Sequence, residues 1–110
     1  MKSLPGANNW KLICRREENH AVILRAETCD ERAALPESLW GLPVTELGPH
    51  ALAAGAYLAE GEELRLTCGP VSGDAAWDNT LLRELTLPAA LERVGDYALF
   101  RCAGLKTLRL

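Results

Sequence analysis

Apolar positions near the end of the chain recur in step. Leu82, Leu85 and Leu87 return as Leu105, Leu108 and Leu110, each 23 residues further on, and the pairs Trp77/Phe100 and Asn79/Cys102 share that spacing. Within Leu-x-Leu the two leucines lie on one side of an extended strand and x on the other. The spacing therefore predicts short strands at 85–87 and 108–110, apolar on one face and polar on the other. Proline follows at Pro88 and, after the matching Ala34-Leu35, at Pro36. Lacking an N–H to donate, proline ends strand pairing there.

Degraded copies precede these two. Residues 73–77 echo 95–99, residues 47–52 echo 94–99, and the Leu-Arg-Leu of 64–66 echoes the Leu-Thr-Leu of 85–87. The chain reads as about three coils, each a Gly-x-x-Ala turn followed by a Leu-x-Leu strand, beginning near residue 34. Gly48, Gly73 and Gly95 are expected at sharp turns, where glycine tolerates positive φ. Asp96 is expected to cap one helical turn over 96–102. Ala98 then lies small against the strands, and Leu99 or Phe100 fills the interior. A short helix over 53–63, ending at Gly61, is expected to lengthen the second coil. Such coils bury their leucines only by stacking on one another.

Residues 10–26 lie outside the repeat. Trp10, Leu12 and Cys14 alternate with Lys11, Ile13 and Arg15, a polar stretch follows over 16–20, and Ala21–Leu24 is a second apolar run. This predicts a β-hairpin that covers the first coil. The expected fold is a short α/β solenoid of about three coils. Parallel strands form one face, short helical turns form the other, and a β-hairpin caps the N-terminus. The cap occupies 1–33 and the coils 34–110, in one domain.

A period of 23 lies within the roughly 20–29 residues of leucine-rich repeats. The last coil resembles the BspA-type leucine-rich repeats of bacteria. Leu87, Pro88, Leu91, Val94, Gly95, Ala98, Cys102, Leu105, Leu108 and Leu110 occupy the places of that pattern. Leu99 stands where the pattern has phenylalanine, with Phe100 beside it. Residues 34–53 are similar to the longer opening coil of such proteins, in which a Gly-x-Pro-Val segment precedes the turn. The middle copy lacks the clean turn, although Asn79 sits where Cys102 sits one coil later. The resemblance covers 34–110 and implies adhesion or interaction roles, usually at bacterial surfaces.

Composition narrows the partners. The 110 residues are 48% hydrophobic and 25% charged, but only 5% aromatic, so the core must be mostly Leu, Ala and Val. Twelve basic residues are scattered among fifteen acidic ones for a net charge of −3, and the pI is near 5.4. No basic run offers itself to nucleic acid or to an anionic membrane. Charges interrupt every apolar stretch well short of the roughly 18 residues of a membrane span, so no insertion is expected. The first ten residues hold one lysine and no apolar run, hence no signal peptide. The chain is expected in the cytoplasm if Met1 is its native start, and at the cell surface or secreted if a signal has been trimmed.

Candidate chemistry is sparse. His20, in the hairpin turn, and His50, in a Gly-x-x-Ala turn, read as surface histidines. Cys14, Cys29, Cys68 and Cys102 are 15, 39 and 34 residues apart, without the close pairs of a zinc site. In a reducing compartment they stay thiols. Cys102 reads as a small buried apolar residue and Cys29 as an exposed thiol in a loop. Ser3, Ser38 and Ser72 lie in no nucleophile motif, residues 69–79 lack the Lys-Ser/Thr of a phosphate loop, and Glu62–Glu63 reads as a solvated face. No catalytic residue, metal or cofactor is expected.

The strands carry the candidate binding surface. Arg65, Thr86 and Arg109 are the central residues of successive Leu-x-Leu units, with Glu84 and Thr107 beside them, and stacked coils would align them on one exposed face for a protein or peptide partner. Leu105, Leu108 and Leu110 form the last strand. Burying a leucine fully is worth roughly 1.5–3 kcal/mol, and an uncovered edge invites pairing, so this strand is expected to join a homo-oligomer or a following coil. The functional expectation is a non-enzymatic protein–protein interaction module, a bacterial adhesion or binding protein. The alternatives are an N-terminal capping piece of a larger repeat protein and, last, a thiol-dependent enzyme using Cys29.

Overall fold

The computed structural model describes residues 9–54, 59–66, 79–80, 82–99, 102 and 105–109, with the backbone alone at 109. The alternation at its start becomes a strand. β1 (Trp10–Arg16) buries Trp10, Leu12 and Cys14 and leaves Lys11 and Ile13 half-buried. A tight turn, closed by the Glu17 N–H on the His20 carbonyl at 2.9 Å, returns the chain as β2 (Ala21–Glu27), antiparallel to β1. Ile13 faces Arg25 and Cys14 faces Ile23, so Leu24 is the extra residue of a β-bulge. Side chains alternate with period two, and the extra residue moves Arg25 to the sheet face opposite Ile23.

Seven shorter strands follow: β3 (Arg32–Ala34), β4 (Ser38–Leu39), β5 (Leu42–Leu47), β6 (Glu62–Leu66), β7 (Glu84–Thr86), β8 (Arg93–Val94) and β9 (Thr107–Arg109). β4 and β5 form a hairpin through Trp40 (φ 54°) and Gly41 (φ 76°). Two positive φ angles in a two-residue turn match the right-handed twist of the flanking strands, and glycine takes the second without cost. The ring of Trp40 is held by the Arg16 guanidinium, 4.4 Å from its centroid.

The strands form two sheets. The larger runs β4–β5–β2–β1–β6, with β8 also on β5, and it mixes parallel with antiparallel pairs. The smaller, β3–β7–β9, is parallel throughout. Two parallel ladders of three rungs result. β2–β5–β8 aligns Ile23, Leu47 and Val94, and β3–β7–β9 aligns Ala33, Leu85 and Leu108. Trp10, Leu12, Ile23, Leu35, Leu47, Leu52, Leu82 and Leu85 fill the core between them. β2, with a neighbour on each edge, buries Ala21, Val22 and Ile23 alike, as a central strand does.

The expected α/β solenoid with helical turns does not form. The described residues contain no helix, and strands make both faces. The turn over 48–54 shows why. In a helix its carbonyls would accept from N–H groups four residues on. Here His50 O and Ala53 O accept from Arg25 Nη1 at 2.8 and 2.7 Å. Ala51 O accepts from the Ala26 N–H at 2.7 Å. Leu52 O accepts from Asn79 Nδ2 and Cys102 Sγ, both at 3.1 Å. In the later turn, Asp96 O and Ala98 O accept from the His50 and Leu52 N–H groups at 3.0 and 2.7 Å. An N–H donates once, so the His50 and Leu52 donors are spent between the turns, and the positive φ of His50 and Tyr97 breaks the helical path.

Two further expectations are corrected. Of the helix expected over 53–63, residues 53–54 and 59–63 are not helical and Glu62 already begins β6, while 55–58 lie outside the described residues. Gly48 and Gly95 do not have positive φ; that conformation falls to His50 (57°) and Tyr97 (58°) two residues later. Glycine at 95 serves close approach, because a Cβ there would collide with the backbone of Gly48 and Pro49. The middle copy, with Cys68, Gly73 and Trp77, lies outside the described residues, as do Phe100 and Leu110.

Leu85 is fully buried in the middle rung of its ladder. Leu85→Ala should lower unfolding free energy by about 2–5 kcal/mol, the cost of a leucine-sized cavity. Urea denaturation checks this, and a loss under about 1 kcal/mol would place Leu85 outside the core.

Candidate functional site

The smaller sheet presents one polar surface. On β7 Leu85 points inward, and so do Ala33 on β3 and Leu82 before β7, all buried. The strand neighbours whose side chains are described take the other face. In register across the sheet lie Arg32, Glu84 and Thr107 in one row and Ala34, Thr86 and Arg109 in the next. Arg32 and Thr107 are exposed, and Glu84 and Thr86 half-buried. Glu31, Arg83 and Lys106 border these rows, joined by backbone hydrogen bonds from Arg83 N–H to Glu31 O (2.7 Å) and from Lys106 N–H to Arg83 O (2.8 Å). The Arg83–Glu31 ion pair at 3.2 Å is more than 60% exposed on both sides and contributes at most about 1 kcal/mol.

Of the five residues expected on this face, Glu84, Thr86, Thr107 and Arg109 belong to its strands. Arg65 does not. It lies on β6, which pairs antiparallel with β1 in the other sheet, and it lines a cleft of about 340 Å³ with Lys11 and Glu63. The third rung comes from Arg32 and Ala34 instead. Leu105 is half-buried and Leu108 is 48% exposed, on the outermost strand of the sheet.

Beneath the surface runs a column of polar side chains. Asn79, 1% exposed and with φ 66°, accepts from the Thr28 N–H at 2.8 Å and donates to Ala26 O at 2.9 Å and Leu52 O at 3.1 Å. Thr28 Oγ1 donates to Asn9 O at 2.7 Å. Cys102, which occupies the place of Asn79 one repeat later, donates its thiol to Leu52 O. It is half-buried and hydrogen-bonded, so it is more than an apolar filler. The 23-residue spacing linked Asn79 with Cys102, but no spacing signalled Thr28 or the buried Arg25.

The three described thiols are quiet. Burial and the nearby Glu62 push Cys14 up to about 12. Burial, then Asp30, raises the Cys29 thiol, which is only partly exposed. Burial raises Cys102 against the opposing effects of the Ala54 backbone and Arg25. A nucleophilic thiol needs its pKa lowered. Among the described residues no three His, Cys, Asp or Glu side chains are grouped to hold a metal ion, and no helix is long and apolar enough to cross a membrane. His50 stacks on Tyr97, ring centroids 5.4 Å apart, at matching positions of the two left-handed turns.

No family model matches the chain, and no curated protein matches it in sequence. Among solved structures it is similar to the leucine-rich repeat protein of T. pallidum, with a TM-score of 0.62 at 17% identity. The match covers 100% of this chain and 39% of that one. At this identity the likeness is one of fold: a bacterial leucine-rich repeat protein shares the arrangement of these strands.

Asn79→Ala would leave Ala26 O and the Thr28 N–H without their buried partner. Each such group costs about 1–3 kcal/mol, so urea denaturation should show a loss of at least about 2 kcal/mol. A loss below about 0.5 kcal/mol would mean that the column does not hold these turns.

Proposed function

We propose that the chain is a non-enzymatic interaction module of the leucine-rich-repeat kind, of BspA type, that binds a protein or peptide on the outward face of β3–β7–β9. One observation carries this reading: three parallel strands hold Arg32, Glu84 and Thr107 in register, with Ala34 and Thr86 in the next row, over an apolar underlayer. Such a face spans several rungs and can meet an extended or flat partner. The net charge of −3 and the lack of a basic run disfavour nucleic acid. The raised Cys29 thiol weighs against a thiol-dependent enzyme. An adhesion or binding role at a bacterial surface fits the face.

Immobilised protein should capture a partner from its host's extract. The double variant Thr86→Glu with Arg109→Glu should capture at least about tenfold less. Arg65→Glu, on the other sheet, should capture as the parent does. Equal capture by both variants would remove the β3–β7–β9 face from the proposal.

A second reading, that the chain seals the first coil of a longer repeat stack, is favoured by how one end is closed. β1 covers the outer edge of β2, and the Trp10 indole N–H donates to Ala34 O on β3 at 3.0 Å. Appending a further coil copied from residues 88–110 after Leu110 should then raise Tm at micromolar concentration by at least about 5 °C. An unchanged Tm would count against a stacking role.

A further inference from the structure

The parallel ladder β2–β5–β8 is irregular in its middle strand. Ala21 faces Val44 and Val22 faces Glu46, so Thr45 is an extra residue, a β-bulge of a kind rare between parallel strands. Burial shows what it does. Val44 and Leu47 are buried in the core, while the two consecutive residues between them, Thr45 and Glu46, are both half-buried. Regular alternation would send one of that pair inward. The bulge lets both line a cleft of about 410 Å³ instead. Asn19 and His20, from the turn between β1 and β2, complete the lining together with Glu92 and Arg93, where β8 begins. The cleft spans the ladder from the turn before β2 across β5 to β8, in a different sheet from the β3–β7–β9 face.

Its charges are not matched from within. Glu46 and Arg93 stand in register on β5 and β8. Yet among the described residues no ion pair or hydrogen bond engages the side chain of Glu46, Glu92 or Arg93. A half-buried carboxylate in that state has lost part of its hydration and received no bond in return. His20 adds an acceptor. Its Nδ1 donates to Asn19 Oδ1 at 2.8 Å, since an amide oxygen only accepts, and in the neutral ring this tautomer leaves Nε2 with a lone pair.

We infer that this cleft binds a small zwitterion of the amino-acid class. The ligand's ammonium, three donors and no acceptor, suits the carboxylates of Glu46 and Glu92 and the imidazole of His20. Its carboxylate suits the Arg93 guanidinium, a planar fork of N–H donors. A simple anion would meet two glutamates, and a simple cation would meet Arg93. A ligand that carries both charges is matched by the whole lining. The volume falls within the roughly 300–1,000 Å³ of small-molecule sites. This site does not depend on what binds the β3–β7–β9 face.

L-Serine serves as the probe, with ethylamine and acetate as its two charges taken singly. In nitrogen–proton correlation spectra of the whole chain, serine should cause saturable shifts at the amides of His20, Thr45, Glu46 and Arg93, with a Kd of about 1 mM. Ethylamine and acetate should each bind at least about tenfold more weakly. Glu46→Gln and Arg93→Gln, each checked for native circular dichroism, should each weaken serine at least about fivefold. Arg65→Gln, on β6, should bind as the parent does. Four results would each overturn the proposal: no saturable shift up to about 20 mM serine, a single-charge probe binding as tightly as serine, cleft variants binding like the parent, or an equal loss in Arg65→Gln.

Discussion

The buried amide of Asn79 ties together segments that no local structure would join. It meets the backbone of Ala26, Thr28 and Leu52, which come from β2, the loop after it and the 48–54 turn. In the low dielectric of the interior each of those backbone groups would be costly without a partner. With Arg25, which takes the carbonyls of His50 and Ala53 from the other side, it lets an irregular turn sit against the core. The rest follows from that allowance. A turn satisfied from outside can stay flat, rungs on either side of it can stack in parallel, and the leucines between them lose their water.

The same interaction weakens toward the last rungs. Where Asn79 offers two donors and an acceptor, Cys102 offers one weak thiol donor, shared on Leu52 O. Burial falls along both ladders as well: Ile23 and Leu47 are buried where Val94 is exposed, and Ala33 and Leu85 are buried where Leu108 is half out. The first rungs are covered by β1, itself paired with β6, and by Trp10. The last rungs form a surface with strand edges and apolar side chains together, which is the physical ground for the proposed stacking role.

Much of the strand content was legible, and the reasons are local. The alternation from Trp10 to Cys14 and the apolar run from Ala21 mark a hairpin because a period of two suits only a strand. The 23-residue step aligned Leu85 with Leu108, and these do pair on neighbouring parallel strands. The third rung was misjudged. Leu-Arg-Leu at 64–66 looks more like its siblings than Arg-Ala-Ala at 32–34 does, yet the latter is the rung. The Leu-Pro match between 35–36 and 87–88 already held the correct register, since it sets Ala34 opposite Thr86. Local likeness prevailed over it because β1, the strand that claims β6, stands outside the repeat.

What the sequence determined alone was periodicity: the hairpin over 10–26, the strands near Leu64, Leu85 and Leu108, and the inward side of Leu85. Tertiary structure decided the rest, because it turned on partners distant along the chain. Helical turns were expected from Gly-x-x-Ala, but the His50 and Leu52 N–H groups donate to the next turn and His50 and Tyr97 take positive φ. Positive φ was expected at Gly48 and Gly95, but neither has it: Gly95 answers to its close approach to the Gly48–Pro49 backbone, and His50 and Tyr97 bend instead. Arg65 shares a motif with Thr86 and Arg109 but not a sheet, since a strand's neighbours are chosen by the edges that folding leaves open.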